Sequence, residues 1–288
     1  MSQLKKALEK AMKERKTFSK EGANHADSIG GSPEDRTESG AGKLKDGHAR
    51  DAVEAPAPTY FQTRSVRVDF EKLVDRKVFS LLKKDEVADQ YKLLRTMVLS
   101  GIRPKGHRTI EVTSFKEGEG KSLTSVNLAI TLANESRQNI LLVDMDLRRP
   151  SIHSILGIDI NPGLKDYFEG DTPIEDIMIH PGIERLTVLP AGGRMDNSTE
   201  IMGSPRMENL IRDIRKRYQD RYIIFDSPAL NRCSDPIVLS SYVDAILLIA
   251  RANYTTTEDI TAGMALVKEK NVLGIVLNDS EISRRWAY

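Results

Sequence analysis

The stretch Glu111–Ser122, EVTSFKEGEGKS, constrains this chain more than any other. Ile110, Val112 and Thr113 predict a short buried strand. Gly118 and Gly120 flank Glu119, Lys121 and Ser122 follow, and LTSVNLAITLANE has the pattern of a helix. Strand, glycine loop, Lys-Ser and helix form the layout of a phosphate-binding loop, the P-loop. Glycines let the backbone curl so that several N–H groups face one anion. The helix N-terminus adds a partial positive charge and Lys121 a full one. The Ser122 hydroxyl stands where a phosphate-bound Mg²⁺ would take it as a ligand. One position departs from the strict pattern: Phe115 occupies the place of its first glycine, which looser versions of the loop accept.

Composition excludes several classes. The 288 residues carry 43 Lys+Arg against 42 Asp+Glu, a net charge of +1, so no global bias points to nucleic acid. The single cysteine, Cys233, rules out an intramolecular disulfide framework and suits a reducing cytoplasm; it is read as a small buried apolar residue. No run of 18 apolar residues provides a membrane span, and the N-terminus is too charged for a signal peptide.

Residues 1–20 place Leu4, Ala7, Leu8, Ala11 and Met12 at helical spacing on a basic background. This is either a helix that touches an anionic membrane or a partner, or a frayed end. Residues 19–59 contain no aromatic residue and end in APAPT, the composition of a disordered linker. We therefore expect a basic tail and linker over 1–65 and a folded domain over 66–288.

Within that domain, a helix is expected over 84–99, with Val87, Tyr91, Leu94 and Val98 on one face and Asp89, Lys92 and Arg95 on another. The runs NILLV (139–143), LTVLP (186–190), RYIIF (221–225), AILLIA (245–250) and VLGIVL (272–277) predict strands. A helix starts at Ser204-Pro205, with Met207, Leu210, Ile211, Ile214 and Tyr218 facing inward. Another spans about 258–269. Strands alternating with helices mean a doubly wound, mostly parallel α/β sheet.

Three acids fall at predicted strand ends: Asp144 and Asp146 after NILLV, and Asp226 after RYIIF. Open α/β sheets bind their ligands at such ends. Transfer of a γ-phosphoryl group needs its charge neutralised by Mg²⁺ and a P-loop lysine. Ser122 is then the direct metal ligand, Asp146 and Asp226 hold the metal's waters, and Asp144 is the general base.

These residues resemble the bacterial tyrosine kinases of capsule and exopolysaccharide loci, over about residues 84–280. KEGEGKS is similar to that family's Walker A motif, ILLVDMDLRRP to its second motif (D-x-D-x-R), and YIIFDSPAL to its Walker B, with Ala229 in place of the usual second Pro. The resemblance implies a P-loop NTPase-like fold, ATP and Mg²⁺ as cofactors, and an exopolysaccharide-regulating tyrosine autokinase. Phosphates would lie against Glu117, Gly118, Glu119, Gly120, Lys121, Ser122 and Leu123. Asp144 and Lys121 would be catalytic, Ser122, Asp146 and Asp226 would organise the metal, and Asn278 is the candidate contact for the base. Family members also build rings through a helix bearing E-x-x-R-x-x-R, matched here by Asp89, Lys92 and Arg95. A separate membrane adaptor of the polysaccharide chain-length determinant type would recruit and activate the chain at the inner face of the cell membrane. Tyr288 is the sole tyrosine after Asp279, where relatives carry several.

Two other functions compete. Lys116 lies where the related Min/Par ATPases carry a lysine that reaches across a dimer, although a solvated loop lysine is the plainer reading. Arg148-Arg149-Pro150 departs from the Asp-Pro-Gln of that class. A non-catalytic nucleotide-binding subunit of a polysaccharide assembly machine is the other alternative, motivated by the short tail.

Overall fold

The computed structural model describes residues 63–82, 84–135 and 139–280. The stretch 1–20, the linker 19–59 and Tyr288 lie outside them. β1 (Arg64–Ser65), α1 (Phe70–Asp75) and α2 (Glu86–Ile102) precede β2 (Thr109–Ser114) and α3 (Lys121–Ala133). β3 (Asn139–Asp144) leads through α4 (Ile152–Leu156), α5 (Leu164–Glu169) and α6 (Ile174–Ile177) to β4 (Ile179–His180) and β5 (Leu186–Leu189). α7 (Ser198–Met202) and α8 (Pro205–Arg217) come before β6 (Arg221–Asp226). α9 (Asp235–Leu239), β7 (Ala245–Arg251), α10 (Thr257–Leu266) and β8 (Val272–Asn278) follow.

The strands form one sheet in the order β1-β4-β5-β3-β6-β2-β7-β8. Every pairing is parallel except β4 with β5, which is antiparallel. The expected doubly wound, mostly parallel sheet is therefore present, with the P-loop strand β2 beside β6, and β6 beside β3. Alternate residues of the central strands serve the two faces, as strand geometry requires. Ile110, Val112, Ile140, Leu142 and Ile224 pack with Val126 and Ile130 of α3 and Leu99 and Ile102 of α2. Leu141, Val143, Ile223 and Phe225 face Met207, Leu210, Ile211 and Ile214 of α8.

Helix boundaries move where a cap decides them. The helix expected over 84–99 starts at Glu86, because the Asp85 carboxylate accepts the N–H groups of Val87 and Ala88 at 2.9 and 3.0 Å, and it runs on to Ile102. The helix expected over about 258–269 starts at Thr257 behind a Thr256–Asp259 capping box and ends at Leu266. Ser204 caps α8 as its sequence indicates, its hydroxyl accepting the Met207 N–H at 3.2 Å.

Phe115, the departure from the strict motif, is 2 % exposed and belongs to a third apolar cluster with Leu230, Leu248, Ala250 and Val267. It lies against Gly263 of α10 so closely that a Cβ there would come 2.4 Å from the ring. The ring thus anchors the root of the P-loop to α10. Phe115→Ala is expected to cost about 3–5 kcal/mol of stability, read as a lower denaturant midpoint.

Candidate active site

The site is built where β2, β3 and β6 end. Gly120 caps α3 in the left-handed region, with φ 88° and no side-chain cap, so the first-turn N–H groups of α3 are open to an anion. The Lys121 amine lies 2.7 Å from Asp146, 3.9 Å from Asp226 and 3.2 Å from the Ser122 hydroxyl. Asp144 and Asp226 are directly opposed in the β3–β6 ladder, and neither is exposed. All three strand-end acids and the P-loop lysine thus meet in one crevice.

Two features make that crevice electrostatically unusual. Asp144 accepts the backbone N–H groups of Ser151 and Ile152 through Oδ2, at 3.1 and 3.0 Å, and Asp226 accepts the Ser125 hydroxyl at 3.0 Å through Oδ1. Their other oxygens, Asp144 Oδ1 and Asp226 Oδ2, are buried without a hydrogen bond. Burial, and then the charge of Asp226, raises the Asp144 carboxyl well above the ordinary carboxylate range. Burial also raises Asp226, with Lys121 opposing it. For Lys121, burial works against the ammonium, but Asp226 and Asp146 outweigh it and the amine is held protonated.

Asp226 Oδ2 has the Lys121 ammonium 3.9 Å away, whereas Asp144 Oδ1 has no hydrogen bond among the described residues; a further cation would offset the cost of burying negative charge here. The donor set, carboxylates and a hydroxyl, suits a hard ion such as Mg²⁺. Among the described residues no three acidic, histidine or cysteine side chains converge tightly enough to hold a metal alone. An ion that keeps several waters and takes phosphate oxygens needs fewer protein ligands than such a cluster supplies.

The other predicted residues divide. Leu123 packs, half-buried, against the core below the loop. The Glu119 side chain turns away from the cradle: it accepts the Lys116 N–H at 2.9 Å and the Thr255 hydroxyl. Glu117 stands at the mouth, bridging Arg149 at 3.0 Å and Arg232 at 3.1 Å. Asn278 donates from its amide to the Glu119 carbonyl at 2.9 Å, so it braces the P-loop. A Cβ on Gly120 would meet that amide at 2.1 Å. Gly120→Ala is expected to lose the brace and to incur backbone strain of about 1–3 kcal/mol. Isothermal titration and thermal melting check it: nucleotide affinity and melting temperature should both fall.

Three readings change. Lys116 is half-exposed but engaged: its amine lies 2.6 Å from Asp259 and 4.4 Å from the centre of the Tyr254 ring. Cys233 is half-exposed rather than buried. Of the α2 triplet, Asp89 pairs with Lys92 at 2.6 Å, whereas Arg95 turns to Glu135 of its own chain at 2.9 Å. Ser125 and Asp235 carried no sequence signal. The first is one helical turn beyond Lys121. The second is a buried acid held by Arg148, Ser198 and Thr199, reachable only through the fold.

A P-loop at the end of a central parallel strand, with acids at the ends of β3 and β6, defines a nucleotide-binding α/β protein of the P-loop class. Residues 107–275 match the model of the AAA_31 family, described as an AAA domain, and the chain belongs to that family. Among characterised proteins it is similar to the putative tyrosine-protein kinase CapB of Staphylococcus aureus, with 26% identity over 71% of this chain and 90% of that protein. It is also 26% identical, over 72% of its length, to the tyrosine-protein kinase ptk of Acinetobacter johnsonii, of which it spans only 28%. Among solved structures, the VpsO kinase domain has a TM-score of 0.62 and 29% identity, covering 74% of this chain and 99% of that one. The septum site-determining protein MinD of Pyrococcus horikoshii, complexed with Mg-ADP, has a TM-score of 0.51 and 27% identity, over 62% of this chain and 72% of that one. The likeness to bacterial tyrosine kinases, read first from KEGEGKS, ILLVDMDLRRP and YIIFDSPAL, holds in sequence and in fold. Among the described residues no helix is long and apolar enough to cross a membrane.

Proposed function

We propose that this chain is an ATP-dependent protein-tyrosine autokinase, its kinase domain spanning 66–288, that regulates exopolysaccharide or capsule synthesis and export. The observation that carries the reading is Asp144: a buried strand-end carboxylate opposed to Asp226, beside Lys121, with one oxygen unsatisfied. A carboxylate whose affinity for a proton is raised by burial and by Asp226 suits removal of a proton from a tyrosine hydroxyl. Bound Mg-ATP supplies the phosphoryl group and the metal's charge. The chain holds the phosphates with Lys121 and the N–H groups of residues 117–123, and presents Ser122, Asp146 and Asp226 to the metal's side. The names of the relatives support tyrosine as acceptor, and MinD with Mg-ADP supports the cofactor pair.

A membrane adaptor of the chain-length determinant type is the proposed activator, which places the chain at the cytoplasmic face of the cell membrane. The α2 face with Asp89, Lys92 and Arg95 is the proposed self-association surface. Incubation of the purified chain with Mg-ATP and the adaptor's cytoplasmic segment should add phosphotyrosine by intact mass, and Lys121→Ala should add none. Tyr288→Phe separates the terminal tyrosine from the rest. ATP binding without any phosphotyrosine would refute the kinase and leave a nucleotide-binding subunit. A Min-type switch draws on the MinD likeness; in this fold Lys116 is already engaged by its own Asp259. If Lys116→Ala abolishes both hydrolysis and self-association, that second reading gains over the first.

A further inference from the structure

Tyr254 is the only exposed tyrosine among the described residues, 44% exposed where the others are buried or half-buried. It follows β7 on a turn that includes Asn253 in the left-handed region, φ 56°. That turn clasps the outside of the P-loop. The Thr255 hydroxyl donates to Glu119, and the Arg251 guanidinium approaches the Gly118 carbonyl at 3.5 Å. The Tyr254 hydroxyl itself is 3.9 Å from where a Cβ on Gly118 would stand. Two cations flank the ring: the Lys116 amine at 4.4 Å and the Arg251 guanidinium at 5.6 Å from its centre. Each is at present occupied by a carboxylate, Asp259 at 2.6 Å and Asp279 at 2.8 Å.

We propose that Tyr254 is a phosphorylation site, modified by a second copy of the chain, whose phosphate is then taken by Lys116 and Arg251. This rests on the kinase reading above. The sheet order points to a second copy as the donor: Asp144 and Asp226 end β3 and β6 on one side of β2, whereas Tyr254 follows β7 on the other. The tyrosine hydroxyl oxygen of one copy bonds to the γ-phosphorus of ATP held by its partner. The bond from that phosphorus to the bridging oxygen breaks, ADP leaves with the electron pair, and the phenolic proton passes to Asp144 of the partner subunit. A phosphate dianion so placed competes with Asp259 for Lys116, as a doubly charged acceptor with three oxygens must. Asp259 keeps a fallback, since it also accepts the Thr256 N–H in the capping box at 2.9 Å. The modification therefore moves Lys116 from α10 to the phosphate, on the rim of the nucleotide loop.

The test mixes full-length active chain carrying Tyr254→Phe with a Lys121→Ala chain as acceptor, in Mg-ATP with the adaptor segment. Peptide mapping locates phosphate on the acceptor. Phosphate on Tyr254 of the Lys121→Ala chain, growing with the concentration of active chain and lost in the Lys121→Ala/Tyr254→Phe double variant, is the expected result. An Asp144→Asn acceptor repeats the experiment should Lys121→Ala fold poorly. Phosphotyrosine elsewhere but never at Tyr254 overturns this proposal and leaves the kinase standing; no phosphotyrosine anywhere removes both. A second readout needs no nucleotide. Wild-type chain phosphorylated at Tyr254 and freed of ATP should exchange the first-turn amides of α10 faster than unmodified chain, because Asp259 has lost Lys116. Unchanged exchange overturns the assignment of Lys116 to the phosphate.

Discussion

Asp144→Asn should slow phosphoryl transfer by about 10²–10⁴-fold, the range for loss of a general base, while making the nucleotide-free chain harder to melt. The second half follows from the same geometry. Asp144 sits fully buried against Asp226, and burial together with that neighbour holds its carboxyl high. Each pH unit of such displacement amounts to about 1.4 kcal/mol. Asparagine keeps a carbonyl oxygen for the N–H groups of Ser151 and Ile152, removes the like charge, and turns an amide toward Asp226. Single-turnover kinetics and calorimetry read the two effects separately. An unchanged transfer rate would remove Asp144 from the role of base, whatever the melting temperature does.

Glu111→Gln should raise stability most at alkaline pH. Glu111 lies in the middle of β2, fully buried, with the Ser227 hydroxyl at 2.7 Å from one oxygen and no partner for the other. Burial raises its carboxyl from 4.5 to about 8. A raised folded-state value means that the acid form is the one the fold prefers. Its contribution is complete below about pH 4.5 and is lost progressively as pH rises to about 8, at about 1.4 kcal/mol per unit. Glutamine cannot ionise and keeps an acceptor for Ser227. The melting temperatures of variant and parent should therefore agree near pH 4.5 and diverge by several degrees at pH 8, the variant higher. Parallel curves across that window would show that Glu111 finds a counter-charge in solution. Because Ser227 directly follows Asp226, the parent's loss should also loosen the Walker B turn.

What the sequence could reveal depended on range. Strand, loop and helix around Gly118–Ser122 are contiguous, so their layout was legible without coordinates. The acids of β3 and β6 were legible as strand ends, and the parallel pattern brought them together. β1 and β4 were not: two residues each carry no periodicity, and they exist because the sheet offers them a neighbour. Side-chain direction was equally hidden. Glu117 and Glu119 are two apart in one loop, yet one meets two arginines at the mouth and the other is buried against Thr255. Asp259 and Tyr254, which occupy Lys116, are more than a hundred positions from it in the chain, a pairing that local pattern cannot show.

Asn278 gives the sheet's outermost strand an unexpected reach. Among the described residues β8 has a neighbour only in β7, so no described strand lies along its other flank, and Ile275 and Leu277 are exposed on it. Its last residue nevertheless grips the carbonyl of Glu119, immediately before the helix that would receive a triphosphate. Whatever covers or frays that margin therefore acts, through one amide, on the loop proposed to hold the nucleotide.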